Sequence, residues 1–201
     1  MGRKRIIGRE QVLDAADRVV ARDGAARLTL DAVAAEAGIS KASVLYDYKS
    51  KQGLIAAMVD RSVAGDNQFN LTMTESLGQV PNAAVRGRIV AAAEPLPEEF
   101  RAVALNLCAA LAQDADLRGA IQKNQNEVIG RIMSTSANPR GALLAYLALE
   151  GLKLLEALDY HNWPKPERER ILREINWLVG IQPPEGDLLP DFRRSETAPH
   201  S

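Results

Sequence analysis

Apolar residues recur along most of this chain at intervals of three and four, the spacing of a helix that buries one face. In residues 9–23 this stripe comprises Val12, Leu13, Ala16, Val19 and Val20. The same spacing predicts helices over residues 82–93, 115–134 and 165–180, and others that begin near residues 51, 98 and 141. No alternating run of β-branched residues bounded by turn residues predicts a strand. The expected fold class is therefore all-α.

Residues 29–51 predict two short helices joined by a tight turn. Thr29 is placed to cap the first helix, and Ser40 is placed to cap the second. Gly38 can adopt the left-handed conformation that ends the first helix. Small residues let the two helices cross closely, and these are Ala32, Ala34, Ala35 and Ala37. This arrangement is typical of a helix-turn-helix, whose second helix lies in the major groove of DNA.

The segment GISKASVLYDYKSKQGL resembles the DNA-binding signature of the TetR family of transcriptional regulators. The residues that match the order of that signature are Gly38, Ile39, Ser40, Lys41, Tyr46, Tyr48, Ser50, Lys51 and Leu54. Asp47 departs from it, because the family often has His there, and Tyr48 stands where Phe is usual. The resemblance implies an N-terminal three-helix DNA-binding domain followed by a C-terminal helical domain for ligand binding and dimerisation.

Four regions follow from these patterns. Residues 1–8 form a flexible basic arm, which either reaches the minor groove and phosphates or is a solvated tail. Residues 9–50 form the helix-turn-helix domain, and residues 51–181 form the regulatory and dimerisation domain. Residues 182–201 are rich in proline and charge and are expected to be a disordered tail.

The first turn of the second helix is expected to contact base edges. Lys41 can donate to guanine, whereas Ala42 and Ser43 can touch a thymine methyl group. Asp47 lies near the same face, where an acidic group weakens the attraction to phosphates. Val44 and Leu45 are expected in the core, and Tyr48 is expected to pack there with its hydroxyl at the surface. Hydroxyls, lysines and helix N-termini suit phosphates, and the residues assigned to them are Thr29, Ser40, Tyr46, Lys49 and Lys51.

The charge distribution is consistent with DNA binding at the N-terminus. The net charge of −1 argues against a uniformly basic, histone-like protein. Residues 1–51 nevertheless hold ten Lys and Arg against seven Asp and Glu, whereas the remainder holds 15 against 19. This asymmetry fits a DNA-facing N-terminus and an acidic body.

The resemblance also implies that the C-terminal helices enclose a pocket for a small-molecule effector. The residues that would suit an apolar lining are Phe100, Leu107, Cys108, Leu111, Ile129, Met133 and Tyr146. Asn106, Gln125 and Glu150 could orient a ligand. In the alternative, the apolar residues are ordinary core and the polar ones are solvated. Because the body is acidic, the expected effector is hydrophobic and neutral or cationic. Cys108 is expected to be a small buried hydrophobe rather than a sensor.

The two final helices resemble the pair that forms a four-helix dimer interface in the TetR family. The candidate interface residues are Leu144, Leu147, Leu155, Leu158, Ile171, Ile175 and Leu178. The alternative is that these stripes pack only within one chain. A homodimer would bind a palindromic double-stranded operator with half-sites about 34–36 Å apart.

An enzyme is the competing class, and little supports it. The chain has two histidines and no catalytic or phosphate-binding motif. Its single cysteine excludes an intramolecular disulfide and a CxxC metal site, and no cofactor or metal is expected. Without a signal peptide or membrane-spanning stretch, the expected location is cytoplasmic. The sequence therefore predicts a dimeric, ligand-released repressor. The alternatives are a helical DNA-associated protein without ligand control and a helical enzyme.

Overall fold

The computed structural model describes residues 8–94 and 114–183. All regular secondary structure in these residues is helical, which confirms the predicted all-α class. A 3-10 turn, Ala25–Arg27, follows the first helix. The α-helices are α1 Arg9–Asp23, α2 Leu30–Ala37, α3 Lys41–Tyr48, α4 Lys51–Ser76, α5 Ala83–Ala91, α6 Ala115–Thr135, α7 Pro139–Ala157 and α8 Lys165–Leu178.

The helix boundaries follow local chemistry. The predicted bounds of α1 are confirmed, and α4 runs through Gly65 to Ser76 as one helix. α7 begins at Pro139, two residues earlier than predicted, since a proline fits the first helical turn. It ends at Ala157, before the aromatic segment that follows, and α8 ends at Leu178 rather than residue 180.

Two apolar clusters form the interior. The first lies among α1, α2, α3 and the first half of α4, and Leu117 of α6 belongs to it. The second lies among α5, α6, α7 and α8. α4 has 26 residues, so it is about 39 Å long. α4 therefore runs from the first cluster into close contact with α5.

Close approaches and ion pairs fix the helices of the second cluster. A Cβ at Gly87 of α5 would lie 2.7 Å from the Cα of Thr74, so α4 and α5 cross at van der Waals contact. Arg168 of α8 binds both carboxylate oxygens of Glu156 on α7, at 2.7 and 3.1 Å. This ion pair holds α8 beside α7. The two helices together form one side of the second cluster.

Candidate nucleic-acid interface

The turn between α2 and α3 is built by the predicted capping residues. The Thr29 hydroxyl accepts a hydrogen bond from the Ala32 N–H at 3.1 Å. The Ser40 hydroxyl accepts one from the Ser43 N–H at 3.2 Å. Gly38 has φ 67° and ψ 30°, the left-handed conformation that glycine adopts without steric cost. The predicted capping roles of all three residues are confirmed.

Two side chains of α3 anchor the helix to the first cluster. Val44 is fully buried and Tyr48 is 4% exposed. The Tyr48 hydroxyl donates to the Arg9 carbonyl oxygen at 3.0 Å, and the Arg9 guanidinium lies 5.3 Å from the centre of the Tyr48 ring. The expectation of a surface hydroxyl is therefore wrong, because the N-terminus of α1 lies against the end of α3.

The opposite face of α3 is open. Lys41, Ala42 and Ser43 are exposed, and Tyr46 is 77% exposed. Leu45 was expected in the core, but 43% of it is exposed. Each helical residue is rotated by about 100° from the previous one, so the inward direction of Val44 and Tyr48 leaves Leu45 at the side of the helix. Asp47 is half-buried.

The three lysines around α3 are each held by a neighbour. The Lys41 ammonium lies 2.8 Å from a carboxylate oxygen of Asp31 on α2. The Lys49 ammonium donates to the Tyr46 carbonyl oxygen at 2.6 Å and lies 4.8 Å from the Tyr46 ring centre. Lys51, half-buried at the start of α4, donates to the Ala25 carbonyl oxygen at 3.2 Å. These contacts hold the three ammonium groups against the protein surface around α3.

A cluster of acidic residues on α1 fixes the direction of α4. Arg61 of α4 lies 2.7 Å from Asp14 and 2.5 Å from Asp17, and it also contacts Glu10 at 3.4 Å. Burial raises the pKa of Asp17 above its usual value, and Arg61 opposes that shift. The sequence reading missed this cluster, although the spacing of Glu10, Asp14 and Asp17 along one face of α1 was a usable signal.

A second charged contact joins α1 to α2. Glu36 accepts hydrogen bonds from Arg18 and Arg22, each at 2.8 Å. The hydrogen bond from Arg22 has the largest effect and that from Arg18 the next largest, and both lower the pKa of Glu36 below its usual value. The α1–α2 pair is therefore joined on its outer side as well as through the core.

The candidate pocket residues are described only in part. Phe100, Asn106, Leu107, Cys108 and Leu111 lie outside the described residues. Ile129 and Met133 are half-buried on α6, and Tyr146 of α7 is buried.

The Tyr146 hydroxyl donates to the side-chain oxygen of Gln125. Burial, together with the nearby charge of Glu150, raises the pKa of Tyr146 to about 12, although Arg88 opposes the shift. The phenol therefore keeps its proton and remains a donor. Glu150 itself is paired with Lys153 at 3.1 Å.

A polar bridge connects α4 to the helices around Tyr146. Asn67 of α4 donates to Asn124 of α6 at 2.7 Å and accepts from Arg88 of α5 at 3.4 Å. The Arg88 guanidinium is 5.9 Å from the centre of the Tyr146 ring, and it lies 3.8 Å from Asp66. One side chain of α4 therefore contacts both α5 and α6.

Two open clefts lie on the surface of the described residues. A cleft of about 330 Å³ is lined by Thr74 and by residues around the start of α5 and the end of α6, and none of the predicted pocket residues lines it. A groove of about 390 Å³ runs along α8, and it contains the predicted interface residues Ile171, Ile175 and Leu178.

The predicted interface residues fall into two groups. Leu144, Leu147 and Leu155 are 41%, 55% and 39% exposed on one side of α7. Leu158, Ile171 and Leu178 are half-buried, whereas Ile175 is 4% exposed and packs into the second cluster. The sequence reading did not include Leu154 and Trp177, which are 52% and 67% exposed.

Within residues 8–94 and 114–183, no three His, Cys, Asp or Glu side chains are grouped as metal ligands are. No helix of the described segments is long and apolar enough to cross a membrane.

Comparisons with known proteins agree with this architecture. Residues 12–58 match the family described as bacterial regulatory proteins, tetR family. Residues 82–179 match the family described as tetracyclin repressor-like, C-terminal domain. Comparison with curated protein sequences returns no match.

Several solved structures share the fold. A TetR transcription regulator from Haloarcula marismortui is 16% identical, with a TM-score of 0.67 over 85% of this chain and 95% of its own. The multidrug binding protein EbrR complexed with malachite green is 20% identical, with a TM-score of 0.66 over 86% of this chain and 98% of its own. A TetR-family member from Streptomyces coelicolor is 20% identical, with a TM-score of 0.64 over 83% of this chain and 96% of its own.

The two family matches together span the helix-turn-helix and most of the helices that follow it. The predicted DNA-binding signature and the capped α2–α3 turn lie within the first match, and the helices α5 to α8 lie within the second. The chain therefore belongs to the TetR family of transcriptional regulators, DNA-binding proteins that are not enzymes.

Proposed function

We propose that this protein is a homodimeric transcriptional repressor that binds a palindromic operator and leaves it when a small molecule occupies the C-terminal domain. The observation that carries the proposal is the exposed face of α3, which is anchored from behind by Val44 and Tyr48. The proposed location is the cytoplasm, because a regulator of this kind has to reach an operator on the chromosome.

The α3 surface suits the major groove in shape and chemistry. Ala42 and Ser43 are small and exposed, so the helix backbone can approach base edges closely. Lys41 carries a positive charge in the first turn of α3, where it can donate to guanine, and Lys49 carries one at the end of α3, where a backbone phosphate would pass. The hydroxyls of Ser40 and Thr29 lie at the helix N-termini, a position that favours phosphate oxygens.

Dimerisation is supported by the outer surface of α7. Leu144, Leu147, Leu154 and Leu155 are exposed on this helix, and Trp177 is exposed on the neighbouring α8. Several large apolar side chains exposed on neighbouring helices are typical of an interaction site. A second copy would bury the same surface across a two-fold axis, so that two α3 helices face the same side of a DNA duplex.

Release by an effector requires that the ligand bind one arrangement of the dimer more tightly than the other. α4 is the element that can transmit such a difference, because it packs in the first cluster through Leu54 and Met58 and contacts α5 and α6 through Asn67. Leu117 of α6 also packs in the first cluster. A ligand that displaces α5 or α6 would therefore alter the position of the DNA-binding helices.

The proposed effector is a hydrophobic molecule that is neutral or cationic. The acidic balance of the chain beyond residue 51 favours a cation over an anion. EbrR, which shares the fold, has been crystallised with malachite green and with ethidium, and both dyes are aromatic cations. Such dyes are therefore suitable first probes.

The test is a mobility-shift assay of the purified protein with DNA from upstream of its own gene. We expect a complex that resists an unrelated competitor DNA and is lost in the double variant Lys41→Ala and Ser43→Ala. Malachite green binding is then measured on the protein without DNA, and the same dye is added to the complex. If neither this DNA nor fragments selected from the whole genome bind at low salt, DNA binding is refuted. Specific binding that no ligand reverses would support a DNA-associated protein without ligand control.

A further inference from the structure

Leu45 is the one large aliphatic side chain exposed on α3. It lies one helical turn after Lys41, on the same side of the helix, and Lys49 is the residue that caps the C-terminal end of α3. Tyr46 lies next to it, and Ala42 precedes it by one turn. The exposed leucine is therefore set among the residues proposed to contact DNA, two of which are positively charged.

The location of Leu45 is not explained by the packing of the subunit. Val44 and Tyr48 supply the contacts that anchor α3 to the first cluster, and Leu45 remains 43% exposed. Exposure of this apolar surface to water is unfavourable unless a partner covers it. The ammonium groups of Lys41 and Lys49 lie at the two ends of the same short helix and suit a polyanionic partner, to which Lys41 would turn from its ion pair with Asp31.

The chemistry of the major groove restricts what Leu45 can contact there. Base pairs present hydrogen-bond donors, acceptors and the C5-methyl group of thymine, which is the only apolar group among them. A leucine side chain has no donor or acceptor, so against a cytosine or guanine edge it would leave polar groups unpaired. Against a thymine methyl group it would bury apolar surface on both sides.

We propose that Leu45 is a specificity-determining residue that reads the C5-methyl group of a thymine in each operator half-site. This inference rests on the proposed function, because it requires that α3 lie in the major groove. To the proposed function, the inference adds a preference for thymine at one position of each half-site. Leu45 differs in this from Lys41, whose ammonium group can donate to a guanine edge, and from Lys49, which is assigned to phosphate.

The test uses deoxyuridine, which differs from thymidine in the major groove only by the missing methyl group. Operators selected by the wild-type protein are synthesised with single thymine-to-uracil replacements, and affinities are measured by fluorescence anisotropy. We expect one replacement to weaken wild-type binding about fourfold per half-site. This corresponds to the roughly 0.8 kcal/mol contributed by burial of one methyl-sized group.

The Leu45→Ala variant should bind the thymine operator about fourfold more weakly per half-site, and it should lose sensitivity to uracil at that position alone. Any thymine contacted by Ala42 would remain sensitive. The matched control is Leu71→Ala, because Leu71 is 38% exposed but lies on α4 outside the first cluster. This control should show the wild-type response to uracil. Thermal melts verify that both variants fold.

Two outcomes would overturn the proposal while leaving DNA binding intact. One is a wild-type protein that binds its operator equally well whichever thymine is replaced by uracil. The other is a Leu45→Ala variant that keeps the full wild-type sensitivity at every position. A wild-type protein that binds no DNA at all would instead refute the proposed function, and this inference with it.

Discussion

The end of α3 depends on a few backbone atoms. Lys49 has φ 65°, a conformation that non-glycine residues seldom adopt. The Ser50 N–H donates to the Tyr48 carbonyl oxygen at 2.7 Å, and the chain then enters α4. Gly53 lies in the first turn of α4, directly against that same carbonyl group. A Cβ at Gly53 would overlap with the Tyr48 oxygen and lie 3.3 Å from its carbon. The absence of a side chain at Gly53 therefore permits the packing of α4 against α3.

Gly53→Ala should destabilise the protein and displace α3. We expect the free energy of unfolding to fall by about 1–3 kcal/mol, as overpacking does, and operator affinity to fall with it. The control is Gly65→Ala on the same helix, where nothing lies within 4 Å of an added Cβ. That change should stabilise the protein by about 0.5–1 kcal/mol, since alanine suits a helix better than glycine. Urea unfolding checks both values, and equal effects of the two substitutions would contradict the proposed role of Gly53.

Charged contacts between helices hold α1 against both of its neighbours, α2 and α4. Arg61 joins α4 to three acidic residues of α1, and Glu36 joins α2 to Arg18 and Arg22 of α1. Ion pairs near the protein surface contribute little to stability individually. Because they act on both neighbours of α1, they nevertheless restrict the angles at which α2 and α4 meet it.

The lowered pKa of Glu36 gives the α1–α2 contact a pH dependence. Since the folded state binds the Glu36 proton less tightly than the unfolded state, the stabilisation is complete above the usual pKa of 4.5 and is lost as the pH falls through the lowered value. Glu36→Gln should therefore lower the urea midpoint slightly at pH 7, and the difference from wild type should shrink below about pH 4.5. Glu75→Gln, at an exposed position on α4, should show no such trend. An undiminished difference in acid would mean that ionisation of Glu36 is not its cause.

At the scale of the whole molecule, α4 connects two apolar clusters and the last two helices present an apolar outer surface. Under the proposed function, neither feature would act in one subunit alone. A single α3 helix would contact only one half-site, and a partner subunit would cover the exposed leucines of α7. The arrangement therefore favours a dimer in which the spacing of the two α3 helices is set by the C-terminal domains.

Leu147→Glu places a charge in the middle of the proposed dimer surface, at the most exposed leucine of α7. We expect a folded monomer by analytical ultracentrifugation, because burial of an unpaired carboxylate is unfavourable. Operator affinity should fall roughly a hundredfold or more, since simultaneous binding of two half-sites is lost. Leu71→Glu, on the exposed side of α4, should remain dimeric and bind normally. A dimeric Leu147→Glu variant would place the interface elsewhere.

Much of the fold could be predicted from the sequence because its signals are local. The caps at Thr29 and Ser40, the left-handed Gly38 and the 3.6-residue apolar stripes depend on residues within one or two turns of one another. The bounds of α1 were predicted correctly for the same reason. The family signature from Gly38 to Leu54 likewise identified the DNA-binding segment without any tertiary information.

Other features depend on residues that are distant in the sequence. The inward or outward direction of Leu45 depends on how α3 is rotated against α1, and the Tyr48 hydroxyl meets the Arg9 carbonyl 39 residues away. Asn67 bridges to Asn124, and Ile175 is buried whereas Trp177 is exposed on the same helix. Within the described residues, the sequence by itself thus determined which segments are helical and which of them resembles a DNA-binding motif. Only tertiary packing decided which faces remain open to DNA or a second subunit, because exposure is set by the neighbours of a helix rather than by its own residues.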